Sequence, residues 1–383
     1  MNRVKGTFYY FPVGQGLFYG GIIQNDDGSS FSFVYDCGSE DKWKSTLTKS
    51  INDFQFLLLK NNVHHLDLIV LSHLHADHFS GIYELIKVVG TPKKMIIPFI
   101  DGDDLERETI LYSLFLNKED FFKKQEIIAF FANQYKTSQR IPTGDFIFNL
   151  NNDLDDRRDA GSYYLDDVVV EIPLWNKFQE TWKFLFVCGS TGKKNPIIIK
   201  KIKNDIYSLI SKSGCSSVQD YIGKEGELGF NKLQNIYIMN GFSSGSSLNN
   251  TSTLLLHYPI TRTPFFVKFY SNVTSCYTQH ENIVSLLTGD SKITKSQANV
   301  LVKHLDVVEP CFLVAQLPHH GASSNFVSFS KYLWTYLTNG ICVVSFGTKN
   351  KYSHPSANAL HSFSLNQLIK VNEFKGMNYI IVI

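Results

Sequence analysis

The hydrophobic period of the chain changes twice within its first hundred residues, and each change marks an element. Apolar and polar positions alternate with a period near two over residues 7–12, 18–24 and 32–36, which predicts two hairpin strands and a third beside them. The period lengthens towards 3.6 over 42–60, as in an amphipathic helix, and the apolar run 67–71 predicts a buried strand with a helix following from about Phe79. The C-terminal part alternates strands at 285–288, 312–316, 341–345 and 378–383 with helices at 291–304, 326–338 and 357–371. Such alternation predicts an α/β fold with sheets covered by helices. Two halves of this kind stacked sheet to sheet make an αβ/βα sandwich.

The loop after the strand 67–71 changes the picture. It reads His73-Leu74-His75-Ala76-Asp77-His78. In a short irregular turn at the mouth of a sheet, side chains can point at a common centre, as they cannot along one straight strand. His73 and His75 can chelate one ion through neutral imidazoles, and Asp77 and His78 can reach a second ion beside it.

The remaining motifs follow in order. Val13-Gly14-Gln15-Gly16 lies between the first two strands, and Asp36-Cys37-Gly38 ends the third. Thr288-Gly289-Asp290, Pro318-His319-His320-Gly321 and the run from Ser345 through Asn350 and Tyr352 to His354-Pro355 each follow a strand. Together these resemble the metallo-β-lactamase superfamily, and within it the ComEC-type DNA-uptake nuclease domain and its stand-alone relatives. The resemblance covers roughly residues 7–100 and 245–383. It implies the metallo-β-lactamase αβ/βα four-layer sandwich over 1–383 as a single domain, with 101–234 as a large central insertion.

The resemblance also implies roles. Two divalent ions, Zn²⁺ or Mn²⁺ with Mg²⁺ also admissible, about 3.5–4 Å apart, deprotonate a shared water near neutral pH. Asp290, whose carboxylate has two oxygens, bridges them; His320 completes the second ion's ligands, and His319 faces substrate. Asp77 also orients the nucleophile. Asp36 is expected to accept the second N–H of a ligand histidine. Ser323, Asn350 and Tyr352 are expected to bind phosphate oxygens, and His354 to protonate a leaving alkoxide. The superfamily's third histidine for the first ion is missing, its place taken by Asn249 and Asn250. An amide oxygen is the harder ligand, so the first site is expected to hold Zn²⁺ poorly and to accept Mn²⁺ or Mg²⁺.

Composition narrows the partner. Net charge is +2, so a polyanion binder must concentrate its lysines locally; Lys193, Lys194, Lys200, Lys201 and Lys203 within the insertion are the candidates. The six cysteines are scattered without a paired framework and read as reduced core residues. No membrane-length apolar segment or secretory leader is evident, which predicts a cytoplasmic protein. The activity implied is that of a metal-dependent phosphodiesterase, most simply a DNA nuclease serving bacterial defence and held in check by a regulatory partner. Cleavage of a cyclic nucleotide messenger is the rival enzyme reading, and a non-catalytic metal- or nucleic-acid-binding module is the rival of another class.

Overall fold

The structure is a computed structural model that describes residues 3–73, 75–98, 139–141, 161–165, 169–173, 182–188, 196–239, 252–260, 265–271, 275–280, 282–308, 311–338 and 340–383. Its strands are β1 (Val4–Tyr10), β2 (Phe18–Asn25), β3 (Ser30–Cys37), β4 (Leu68–Val70), β5 (Lys94–Pro98), β6 (Gln139–Ile141), β7 (Gly161–Leu165), β8 (Val169–Pro173), β9 (Trp182–Cys188), β10 (Thr253–Pro259), β11 (Phe265–Ser271), β12 (Ser275–His280), β13 (Asn282–Leu287), β14 (Cys311–Gln316), β15 (Ile341–Ser345), β16 (Leu368–Val371) and β17 (Met377–Val382). The helices are α1 (Lys44–Lys60), α2 (Ala76–Phe79), α3 (Ile82–Val89), α4 (Pro196–Lys212), α5 (Val218–Met239, broken at Gly226), α6 (Lys295–Val307), α7 (Ser323–Leu337) and α8 (Ala357–His361).

Among the described residues the strands form two sheets. The first runs β12-β11-β17-β1-β2-β3-β4-β5-β7-β6 and the second β16-β15-β14-β13-β10-β9-β8. Period-two alternation decides which side chains meet between them. Phe8, Tyr19, Phe33, Tyr35 and Val70 face inward from the first sheet against Trp182, Phe184, Leu255, Val314 and Val343 of the second. The opposite faces are covered by helices. Val34, Ile69 and Leu71 pack under α1, α3, α4 and α5, while Leu254, Leu256, Val284 and Val344 pack under α6, α7 and α8. This is the four-layer αβ/βα sandwich that the motifs imply.

Three expectations change. Residues 357–371 are not one helix: α8 ends at His361, and Leu368–Val371 is an edge strand in parallel register with β15. Burying Leu368 and Val371 against the neighbouring strand outweighs the weak helical period of that stretch. The helix expected over 291–304 starts at Lys295, because Thr294 caps it and Gln297 closes a capping box. The last strand, β17, pairs antiparallel with β1 and so belongs to the first sheet, not to the C-terminal half.

The span 101–234 falls largely outside the described residues, yet its described strands enter both sheets, β6 and β7 at one edge and β8 and β9 beside β10. Lys193 and Lys194 lie outside the described residues. Lys200 and Lys201 are exposed on α4, which buries Ile202, Ile206 and Ile210. Cys37, Cys215 and Cys342 are free thiols. No helix among the described residues is long and apolar enough to cross a membrane.

Candidate metal centre

Parallel pairing places the ends of β3, β4, β13, β14 and β15 at one edge, and every loop carrying a candidate ligand leaves from there. Such carboxyl ends of parallel strands are where α/β folds collect chemistry. Asp77 and His78 lie in the single turn α2, which begins inside the histidine motif and not after it. Gly16 and Gly38 let that turn be gripped. A Cβ on Gly16 would sit 2.7 Å from the Asp77 carbonyl oxygen, and one on Gly38 would sit 2.5 Å from the His78 backbone nitrogen. In their absence Leu17 N–H reaches the Asp77 carbonyl at 3.0 Å. The opposite loop is set by Gln316, whose Oε1 accepts from Thr288 and Gly289 N–H at 2.9 and 3.1 Å. Gly289 has φ 52, and a Cβ there would meet the Ser72 Cβ at 2.5 Å, so Asp290 is presented only by glycine.

Two triads result: His73, His75 and Asp290, and Asp77, His78 and His320, with the ligand atoms of each within 4.8 Å of one another. Asp290 faces both. Its Oδ2 lies 3.6 Å from His73 Nε2, and its Oδ1 lies 3.0 Å from His78 Nε2 and 3.9 Å from His320 Nε2. His73 Nε2 and His75 Nδ1 approach to 3.0 Å, and His320 Nε2 lies 3.1 Å from Asp77 Oδ2.

The groups behind the triads fix which nitrogen faces inward. His78 Nδ1 donates to Asp36 Oδ2 at 2.7 Å. His320 Nδ1 donates to the Ser345 carbonyl at 2.7 Å. Ser72, which the sequence reading passed over, donates its hydroxyl to Asp36 Oδ2 at 2.6 Å and so accepts from His73 Nδ1 at 2.9 Å. All three Nε2 atoms are thereby left as inward-facing acceptors.

That arrangement fits divalent cations. His78 Nε2 and Asp290 Oδ1 are buried and 3.0 Å apart, yet neither has a hydrogen-bond partner among the described residues. Two acceptors facing one another call for a cation between or beside them. Without an ion a proton takes that role: burial alone would push His78 down, but Asp290, Asp36 and Asp77 outweigh it and raise it well above the usual imidazole range. Burial likewise opposes but does not prevent the lowering of Asp290 by His78 and His320. His73, buried beside the cationic His78, is pushed well below.

Replacing Ser72 by Ala removes the hydroxyl that orients His73 while leaving the Ser72 backbone bond to Asp36, 2.7 Å, in place. Affinity for the ion at His73 should fall about 10–100-fold, with the His78 site less affected. A metal titration by calorimetry reads both, and equal losses at the two sites would contradict this division.

The rim is formed by His319, His354 and Tyr352. His319 and His354 stand with ring centroids 5.3 Å apart, and Tyr352, half exposed, stacks on His354 at 5.9 Å. Burial, then the neighbouring His319 and His320, lowers His354 to about 4. It is therefore neutral at pH 7 until an anion beside it raises it. Asn350 does not face the centre: its Nδ2 donates to the Gly347 and His354 carbonyls and its Oδ1 accepts from Tyr352 and His354 N–H, which shapes the loop that carries both rings. Ser323 is exposed at the first turn of α7. Asn249 and Asn250 lie outside the described residues. His257 is distant in role, held in the inter-sheet core between Trp182 Nε1 and Tyr19 Oη and lowered by burial to about 3.

No protein-family model matches the sequence, and no curated protein matches it. Among solved structures the chain is similar to a long-form RNase Z from yeast, with 11% identity over 81% of this chain and a TM-score of 0.30. It spans 32% of that enzyme's length. It is also similar to the metallo-β-lactamase MIM-1 from Novosphingobium pentaromativorans, with 10% identity, 87% and 88% of the two chains covered and a TM-score of 0.32. A diphosphatase from the PhnP family matches with 10% identity over 96% of this chain and 95% of its own, at a TM-score of 0.33. These likenesses are remote, and the site is read from its own geometry.

Proposed function

We propose that the chain is a metal-dependent phosphodiesterase acting on nucleic acid, its domain spanning 1–383 with 101–234 inserted. The observation that carries the hydrolytic reading is the shared carboxylate: Asp290 turns one oxygen to each triad, and the buried pair His78 Nε2 and Asp290 Oδ1 lacks any hydrogen-bond partner among the described residues. His73, His75 and Asp290 would hold one ion, and Asp77, His78, His320 and Asp290 the other. Bound ions supply a nucleophilic water at neutral pH and neutralise charge on the phosphoryl oxygens. Asp77, the most exposed of the centre's three carboxylates at 18%, orients that water. A phosphoryl oxygen beside His354 raises the imidazole into the range where Nε2 or Nδ1 carries a proton to the departing alkoxide. The motif resemblance supports DNA as substrate.

Purified protein loaded with Mn²⁺ or Zn²⁺ should cleave a chromogenic small diester and single- or double-stranded DNA. The charge reversals Lys200→Glu and Lys201→Glu should weaken DNA binding and lower its salt dependence by about one unit of slope per lost phosphate contact, while sparing the small diester. Turnover of a cyclic dinucleotide without any polynucleotide cleavage would replace the nuclease reading.

A further inference from the structure

His319 belongs to neither triad, yet it approaches the carboxylate that the triads share. Its Nε2 lies 3.5 Å from Asp290 Oδ2, the same oxygen that His73 Nε2 meets at 3.6 Å. The next residue, His320, meets the other oxygen, Oδ1, at 3.9 Å. Consecutive imidazoles are thus divided between the two oxygens of one carboxylate. Their ring planes stand 65° apart, and both residues take a left-handed backbone, φ 50 and 53. Such a conformation is uncommon at a non-glycine residue and persists where the surroundings hold it in place.

The tautomer is also set. Asn325 Nδ2 donates to the Asp290 carbonyl at 2.9 Å, which turns its Oδ1 to His319 Nδ1 at 3.4 Å. An amide oxygen accepts, so the proton sits on Nδ1 and the Nε2 lone pair faces Asp290 Oδ2. This repeats the device that Asp36 applies to His78: a supporting acceptor on Nδ1 and an acceptor aimed at a carboxylate oxygen.

We propose that His319 is a ligand of the first ion, joining His73, His75 and Asp290, so that the pair His319-His320 supplies one imidazole to each ion. Among the described residues the first triad offers three ligand atoms, and His319 would add a fourth. His319, 31% exposed, stands outside the tight triad and closes on the ion from the solvent side. This assignment rests on the two-ion reading above and takes His319 away from substrate.

Zn²⁺ and Mn²⁺ titrations of the ion-free full chain, with metal content after gel filtration, separate the possibilities. Wild type should bind two ions. His319→Ala and the polar variant His319→Gln should keep one at wild-type affinity and bind the other at least about tenfold more weakly. His354→Ala should leave both affinities unchanged. Two ions at wild-type affinity in folded His319→Ala or His319→Gln would overturn the assignment and return His319 to the substrate, leaving the two-ion reading intact. Fewer than two ions in wild type would overturn both.

Discussion

Asp77→Ala is expected to fold and to lose turnover by about three or more orders of magnitude, because in the mechanism proposed above one side chain would both ligate the second ion and align the water. Folding should survive because what Asp77 gives the scaffold is its backbone: the carbonyl that accepts from Leu17 N–H is unchanged by alanine, itself favourable in the turn α2. The side chain is 18% exposed and, among the described residues, pairs with His320 at 3.1 Å. Its loss would take one of four ligands from the second ion, leaving His78, His320 and Asp290 to hold it more weakly and without the group that aligns the water. Diester hydrolysis under saturating Mn²⁺, alongside thermal melting, reads both halves of the expectation. Wild-type turnover in a folded Asp77→Ala protein would remove the mechanism proposed above.

Asp290→Asn should do more damage to metal binding than any other single exchange, since it is the one residue that faces both triads. The amide keeps the shape of the carboxylate but loses its charge and replaces one ligand oxygen by an NH₂ group. Both affinities should fall by at least about tenfold, and the stabilisation that metal at a hundred times the wild-type Kd gives through each site, about 2.7 kcal/mol, should drop to about 1.4 kcal/mol or less at the same metal concentration. His78 and His320 are both raised above the usual imidazole range in the ion-free protein, despite burial. Ions must therefore displace protons there, and wild-type affinity should rise with pH through neutrality. An Asp290→Asn protein that retains one ion at wild-type affinity would show that the carboxylate is not shared.

Much of the centre was legible because metal ligands are restricted in kind and the hexapeptide concentrates them. His73, His75, Asp77 and His78 lie close in sequence and close in space, so spacing alone brought them together. Asp290, His320 and Asp36 entered through motifs at strand ends, and the structure gathers all of them at one edge. Ser72 and Gln316 were not singled out, because a serine or glutamine carries no metal signature and acts here only through partners distant in sequence, Ser72 on Asp36 and Gln316 on Gly289. Asn350 was read as a phosphate donor, and in the structure its amide bonds to the loop's own carbonyls.

The sequence by itself determined the strand and helix alternation, the two-period pattern that builds two sheets with one shared core, and the residues able to hold metal, because periodicity and side-chain chemistry are local properties. Only the tertiary structure decided that β17 crosses to β1, that 368–371 is a strand and that Asp290 turns one oxygen to each triad. Strand partners compete by long-range burial and pairing, and the direction of a carboxylate is set by neighbours that meet only when the two sheets close over one another.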